Sequence, residues 1–200
     1  MSAIETTLDP RMEAVTRRSK LHPLKMLLFI GCGSLVMMFI ALTSAYIVRR
    51  ASGNWLEFSI PTIFYVNTLV IVVSSLTLHA AYRAFKREAM GAYKGLLTVS
   101  FLLGIAFIVL QFVGWQDLAA QGVPLKINPS GDFIYAISWL HALHVVGGLA
   151  ALFVTLLVAF IRRRIRNTPA RKLRLELTMI YWHFVDILWI YLIIFLSLQR

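Results

Sequence analysis

Charge is scarce in this chain. Only 14% of its 200 residues are Asp, Glu, Lys or Arg, where a soluble domain carries about a quarter. Acidic residues are scarcer still, at nine. Cysteine is almost absent: the lone Cys32 excludes an intrachain disulfide and every cysteine-based metal motif, and its place inside an apolar block reads as small-residue packing. No internal repeat and no low-complexity tract is visible. The N-terminal residues 1–25 are polar and of mixed charge, without an apolar stretch before Met26, so a cleaved secretory leader is not expected.

What the chain has instead is long apolar runs and a mean hydropathy of +0.75. About 20 apolar residues suffice for a helix to cross the hydrocarbon core, where each backbone N–H and C=O must be bonded without water. Five such blocks stand out, at 26–48, 63–82, 95–113, 133–161 and 177–198. Together, residues 26–200 predict an all-α integral membrane bundle of five transmembrane helices, preceded by a cytoplasmic segment at 1–25. Pro61 marks the start of the second helix. The longest loop is expected from about Gly114 to Asp132, where Gly122, Pro124, Asn128, Pro129 and Gly131 supply turn chemistry.

The basic residues set orientation. Arg11, Arg17, Arg18, Lys20 and Lys25 precede the first block. Arg83, Lys86, Arg87 and Lys94 lie in the loop after the second, and seven more from Arg162 to Arg174 lie in the loop after the fourth. The alternate side keeps only Arg49, Arg50, Lys126 and Arg200. Lys and Arg stay on the cytoplasmic side, so the N-terminus is expected inside and the C-terminus outside. The net charge of +11 is thereby explained by topology and anionic headgroups, and no nucleic-acid partner is expected.

Ionisable groups within the spans require a reason, since Asp at mid-helix costs about 2.5–3.5 kcal/mol on the mildest scales. His141 and His144 share one face of the fourth helix, and His183 and Asp186 share one face of the fifth. At about 1.5 Å per residue, His144 and Asp186 both fall near mid-bilayer. These four are expected to form a polar seam between the fourth and fifth helices, with His144 bonded to Asp186 directly or through water. On that reading Asp186→Leu weakens the bundle more than Asp186→Asn. Glu176, at the start of the fifth helix, suits a helix N-terminus and is expected to pair with Arg171 or Arg174.

No catalytic constellation is legible, and no three or four ligands converge on a metal. A haem clamped between two helices stays open through His79 and His183, both near the cytoplasmic side. His141 and His144, on one helix, cannot clamp a second haem. A small transporter would show inverted repeats or broken helices, and none is present.

The run Tyr181-Trp182-His183-Phe184-Val185-Asp186 resembles the final-helix signature of subunit III of the haem-copper terminal oxidases. Leu140-His141-Ala142-Leu143-His144 is similar to that family's paired-histidine helix. Asn67-Thr68 with Ser74, Ser75 and Thr77 is similar to its polar ladder, Leu110-Gln111 to its L-Q, and Glu176 to its glutamate before the last helix. Gly33 and Gly114 stand where the family often has glutamates, and Leu140 and Ala142 also depart from the pattern. The likeness spans about Leu24 to Leu198 and corresponds to the short, five-helix bacterial form.

The resemblance implies a non-catalytic subunit of a respiratory oxidase that reduces O2 to water and pumps protons. It implies no cofactor in this chain, haem and copper in partner subunits, and bound phospholipid in a cleft. It implies partners in subunits I and II, leaves a small subunit IV open, and places the chain in the bacterial inner membrane. His79 and Glu88 would then lie on the proton-entry side. An accessory subunit of nitric oxide reductase and a haem-b membrane anchor remain alternatives, and the electron donor, cytochrome c or quinol, is left open. A reporter fused after Arg200 is expected to be active only on the periplasmic face. Activity in the cytoplasm would overturn the five-span topology.

Overall fold

The computed structural model describes residues 22–53, 55–56, 59–161 and 168–199. It contains five long helices, α1 Pro23–Ala51, α2 Thr62–Lys86, α3 Met90–Ala120, α4 Pro129–Ile161 and α5 Pro169–Leu198. Each is long and apolar enough to cross a membrane. With 25 to 33 residues apiece, they measure roughly 38–50 Å at 1.5 Å per residue. They therefore extend past the hydrocarbon core of about 30 Å into the headgroup layers.

The helices begin further out than the apolar blocks do, for local reasons. Prolines occupy the first turns of α1 and α5, where the missing N–H is no loss and φ is already helical. The His22 ring accepts a hydrogen bond from Leu24 N at 3.3 Å and caps α1. Two sequence expectations change as a result. Arg171, Lys172 and Arg174 sit on the opening turns of α5 rather than in a loop; Arg162, Arg163, Arg164 and Arg166 lie outside the described residues. The loop expected to start at Gly114 begins only after Ala120, because Gly114 is buried inside α3 and serves packing rather than turning.

Four helices close a ring in which α2 packs on α3, α3 on α4, α4 on α5 and α5 back on α2. The α2–α3 contact is the most extensive, since only the tight turn around Glu88, at positive φ, joins them. Helix α1 lies outside the ring in the groove between α4 and α5. It buries a single stripe, Cys32, Phe39, Thr43 and Tyr46, whose spacing follows one face of a 3.6-residue helix. Its other faces expose Met26, Leu27, Met37, Ile40 and Val48, as suits contact with hydrocarbon.

Helix α5 is the one element that touches α1, α2 and α4. Its Trp182 and Trp189 are the largest fully buried side chains. Trp182 is accommodated by glycines on two other helices. A Cβ at Gly104 of α3 would lie 2.8 Å from Trp182 Cη2, and one at Gly148 of α4 would lie 3.0 Å from Trp182 Cε3. Where hydrocarbon removes the usual hydrophobic drive between helices, close approach at small residues supplies the attraction.

Gly104→Ala is therefore expected to displace the Trp182 ring and destabilise the bundle by about 1–3 kcal/mol. Gly91→Ala, whose Cβ would meet nothing within 4 Å, should stay within about 0.5 kcal/mol. Unfolding of the purified chain in mixed micelles measures both.

Candidate functional site: polar rungs between the helices

In the low-dielectric interior, a polar side chain without a partner is costly. The helices answer this with rungs of hydrogen bonds, four of them between α2 and α5, which run antiparallel. Starting from one end of the bundle, Tyr82 OH donates to Glu176 Oε1 at 2.6 Å. Ser75 Oγ pairs with His183 Nδ1. Trp189 Nε1 donates to Thr68 Oγ1 at 3.0 Å, and Tyr65 OH meets Ser197 Oγ at 3.1 Å. The α2 residues recur at roughly helical spacing along one face, matched in reverse order on α5.

The polar ladder of α2 serves two neighbours. Residues about one residue round the helix from these rungs turn to α3. Asn67 Nδ2 donates to Gln111 Oε1 at 3.1 Å, Ser74 Oγ donates to the Ser100 carbonyl at 3.0 Å, and Thr77 Oγ1 meets Ser100 Oγ at 2.7 Å. Asn67, Ser74 and Ser100 are fully buried. Thus Asn67, Ser74 and Thr77 bind α3, whereas Ser75 binds α5.

Glu176 forms a knot among three helices. Its Oε2 accepts from Lys25 Nζ of α1 at 2.7 Å while Oε1 accepts from Tyr82 of α2. Pairing with Arg171 or Arg174, expected from proximity in sequence, is replaced by a partner 151 positions away. The reason is direction: Arg174 and Arg171 stand two and five residues before Glu176, off the helix face it occupies, while Lys25 reaches the carboxylate from α1. At the other end Arg50 Nη1 donates to Gln199 Oε1 at 2.9 Å, so α1 is tied to α5 at both ends.

The seam expected between α4 and α5 is arranged differently. His144 Nδ1 bonds the Leu140 carbonyl of its own helix at 2.6 Å, and its ring meets Phe39 edge-on. His183 turns to α2, where its ring lies 6.0 Å from that of His79. Asp186 is buried, and neither carboxyl oxygen has a hydrogen-bond partner among the described residues, so the direct bond to His144 is not formed. Ser75 borders Asp186 as well as His183. His141 does face α5, but through its ring. It stacks on Trp189 at 5.0 Å and meets Phe39 of α1 and Phe107 of α3 edge-on. Fully buried, with neither nitrogen hydrogen-bonded among the described residues, it packs as an aromatic at the junction of four helices.

The two glutamate-to-glycine departures differ physically. A Cβ at Gly114 would lie 2.6 Å from Phe64 Cε1, so the ring of α2 fills that space. At Gly33 a Cβ would meet nothing within 4 Å, and the position opens outward from α1. Among the described residues, no group of three His, Cys, Asp or Glu is arranged to hold a metal ion.

Sequence reasoning missed the Lys25–Glu176–Tyr82 knot and the Thr68–Trp189 rung. Both join residues on separate helices, and no local pattern marks such a pairing. Helical spacing of Tyr65, Thr68, Ser75 and Tyr82 was the one available signal.

This arrangement defines a class, a five-helix integral membrane bundle with hydrogen-bonded helix contacts. The cytochrome c oxidase subunit III family model matches residues 15–198. A probable cytochrome c oxidase subunit 3 of Mycobacterium tuberculosis (strain ATCC 25618 / H37Rv) is 31% identical over 188 residues, covering 86% of this chain and 89% of that protein. Cytochrome c oxidase subunit 3 of Thermostichus vulcanus is 30% identical and covers 86% of each chain. The cytochrome bo(3) ubiquinol oxidase subunit 3 of Pseudomonas putida is 30% identical over 126 residues, 62% of this chain and 59% of that one. The chain belongs to the cytochrome c oxidase subunit III family. It is a bacterial membrane protein and a subunit of a haem-copper oxidase complex.

Ser75→Ala removes the partner of His183 and should cost the bundle about 0.6 kcal/mol, and at most about 1.7, the range of interhelical hydrogen bonds in membranes. Asp186→Leu should assemble as well as Asp186→Asn, since the carboxyl oxygens make no bond whose loss would separate the two. Detergent-resistant assembly of the variants, compared side by side, checks both statements. A Leu variant much weaker than the Asn variant would mean that Asp186 carries a structural bond.

Proposed function

We propose that this chain is the non-catalytic subunit III of a respiratory oxidase that reduces O2 to water and pumps protons, in the bacterial inner membrane with its N-terminus in the cytoplasm. It assembles with subunits I and II, and with a small subunit IV where the complex has one. Haem and copper reside in those partners. Its own part is to support assembly, hold phospholipid and sustain proton uptake. The observation that carries the non-catalytic reading is the use of its chemistry-bearing side chains. Glu176, Tyr82, Lys25, His183 and Ser75 are engaged in bonds between helices, and His141 is packed among aromatic rings. The family membership favours this reading over a haem-b anchor. The relatives include both a cytochrome c oxidase subunit and a ubiquinol oxidase subunit, so the electron donor is a property of the partners.

The phospholipid has a fitting seat where α1 and α5 begin. A cleft of about 840 Å³ lies there, bordered by His22, Lys25, Lys172 and Arg174. Glu176 lines the cleft too but is paired with Lys25, so Lys172 and Arg174 with two helix N-termini favour an anionic headgroup, while Leu24, Leu173 and Leu177 offer an apolar floor. A lipid held there would lock α1 to the ring on the side where Lys25 meets Glu176.

The oxidase purified with and without this chain tests the proposal. Its haem and copper spectra should be unchanged and its initial rate lowered at most moderately, with activity lost faster during turnover in the complex lacking the chain. Loss of the oxygen-reducing centre's spectrum from a properly assembled remainder would mean that the chain houses part of the active site, and the proposal would fall.

A further inference from the structure

The opposite end of the bundle carries a second concave surface of different chemistry. Between the last turns of α3 and the first turns of α4 lies a groove of about 640 Å³. Its walls are Trp115, Ala119, Tyr135, Ala136, Trp139 and Leu140, and its polar groups are Gln116 and Asp132. From Asp132 to Leu140 it follows α4 for about 12 Å at 1.5 Å per residue, the depth from a headgroup layer into the upper acyl region.

The polar tips of two aromatic walls are already engaged within the chain. Trp115 Nε1 donates to Ser138 Oγ at 2.9 Å, and Tyr135 OH donates to the carbonyls of Trp115 and Val123 at 3.1 and 3.2 Å. These rings therefore offer an occupant only apolar surface. The one charged group is the Asp132 carboxylate. Its Oδ1 accepts from Lys126 N at 2.6 Å, and its second oxygen has no partner among the described residues. No basic residue lines the groove. The occupant that complements such a surface has an apolar body and a cationic, hydrogen-donating head. Lys126, exposed on the loop that holds Asp132, suits the phosphate next to such a head.

We propose that this groove binds a zwitterionic aminophospholipid of the ethanolamine class, with its ammonium group on Asp132 and an acyl chain along Ala136 and Leu140. The site is distinct from the basic cleft at the other end, where an anionic headgroup fits. The two ends of the molecule thus select headgroups of opposite charge preference.

The test uses the purified oxidase complex carrying the full chain, labelled with an ethanolamine phospholipid that bears a photoreactive acyl chain, and peptide mapping of the attached lipid. Label is expected on the Tyr135–Leu140 segment, displaced by unlabelled phosphatidylethanolamine but not by phosphatidylglycerol. Asp132→Asn keeps an acceptor for Lys126 N and removes the charge. It should lower labelling there about tenfold, the size of one charge-assisted hydrogen bond, without changing label elsewhere on the complex. Ala136→Trp, at an exposed position, fills the groove and should abolish label at that segment. The proposal is overturned if phosphatidylglycerol competes equally, if both variants label as the parent does, or if Cys placed at Ala136 cross-links to another oxidase subunit in a complex retaining no lipid there.

Discussion

Hydrocarbon offers no hydrogen bonds, so a polar side chain drawn into this bundle is costly unless a partner is supplied, and the rungs take theirs from neighbouring helices. That constraint makes α5 the element on which the rest depends. It meets α2 through four rungs, from Tyr82–Glu176 to Tyr65–Ser197. It also meets α1 through Lys25–Glu176 and Arg50–Gln199. The rungs fix the axial register of α2 against α5, because a shift of one helical turn would break all of them together. The apolar packing alone, which a lipid tail matches nearly as well, would not select that register.

Packing then takes over where polarity ends. Trp182 occupies the space left by Gly104 and Gly148, so α3, α4 and α5 approach as closely as an indole allows. Trp189 links the two modes: its Nε1 bonds Thr68, one face carries the His141 ring, and Phe107 approaches it edge-on. His141 shows how a histidine in a membrane need not be a ligand or a proton carrier, since a ring among rings is used for its shape.

Two of the concavities among the described residues lie at opposite ends of the bundle, and each inherits its chemistry from the helix ends that border it. Where α1 and α5 start, basic side chains gather beside helix N-termini. Where α3 ends and α4 starts, aromatic walls surround one carboxylate. Both follow from the placement of charge outside the hydrocarbon, which also spaces the lysines and arginines along the chain.

The sequence alone determined the five spans, because unbroken apolar blocks of that length have one outcome in a bilayer. Its motifs on the fourth and fifth helices sufficed for the family, and helical spacing showed which polar residues share a face: His141 with His144, and His183 with Asp186. Only the tertiary structure decided whom each face meets. His183 bonds Ser75 of α2 rather than joining a seam with α4, Glu176 bonds Lys25 from the far end of the chain rather than its neighbours on α5, and Gly114 makes room for Phe64 instead of opening a loop. Periodicity fixes the angle of a side chain about its own helix. Its partner depends on the rotation and height of a second helix, which are set jointly by all the rungs and all the close contacts and are written in no single stretch of the chain.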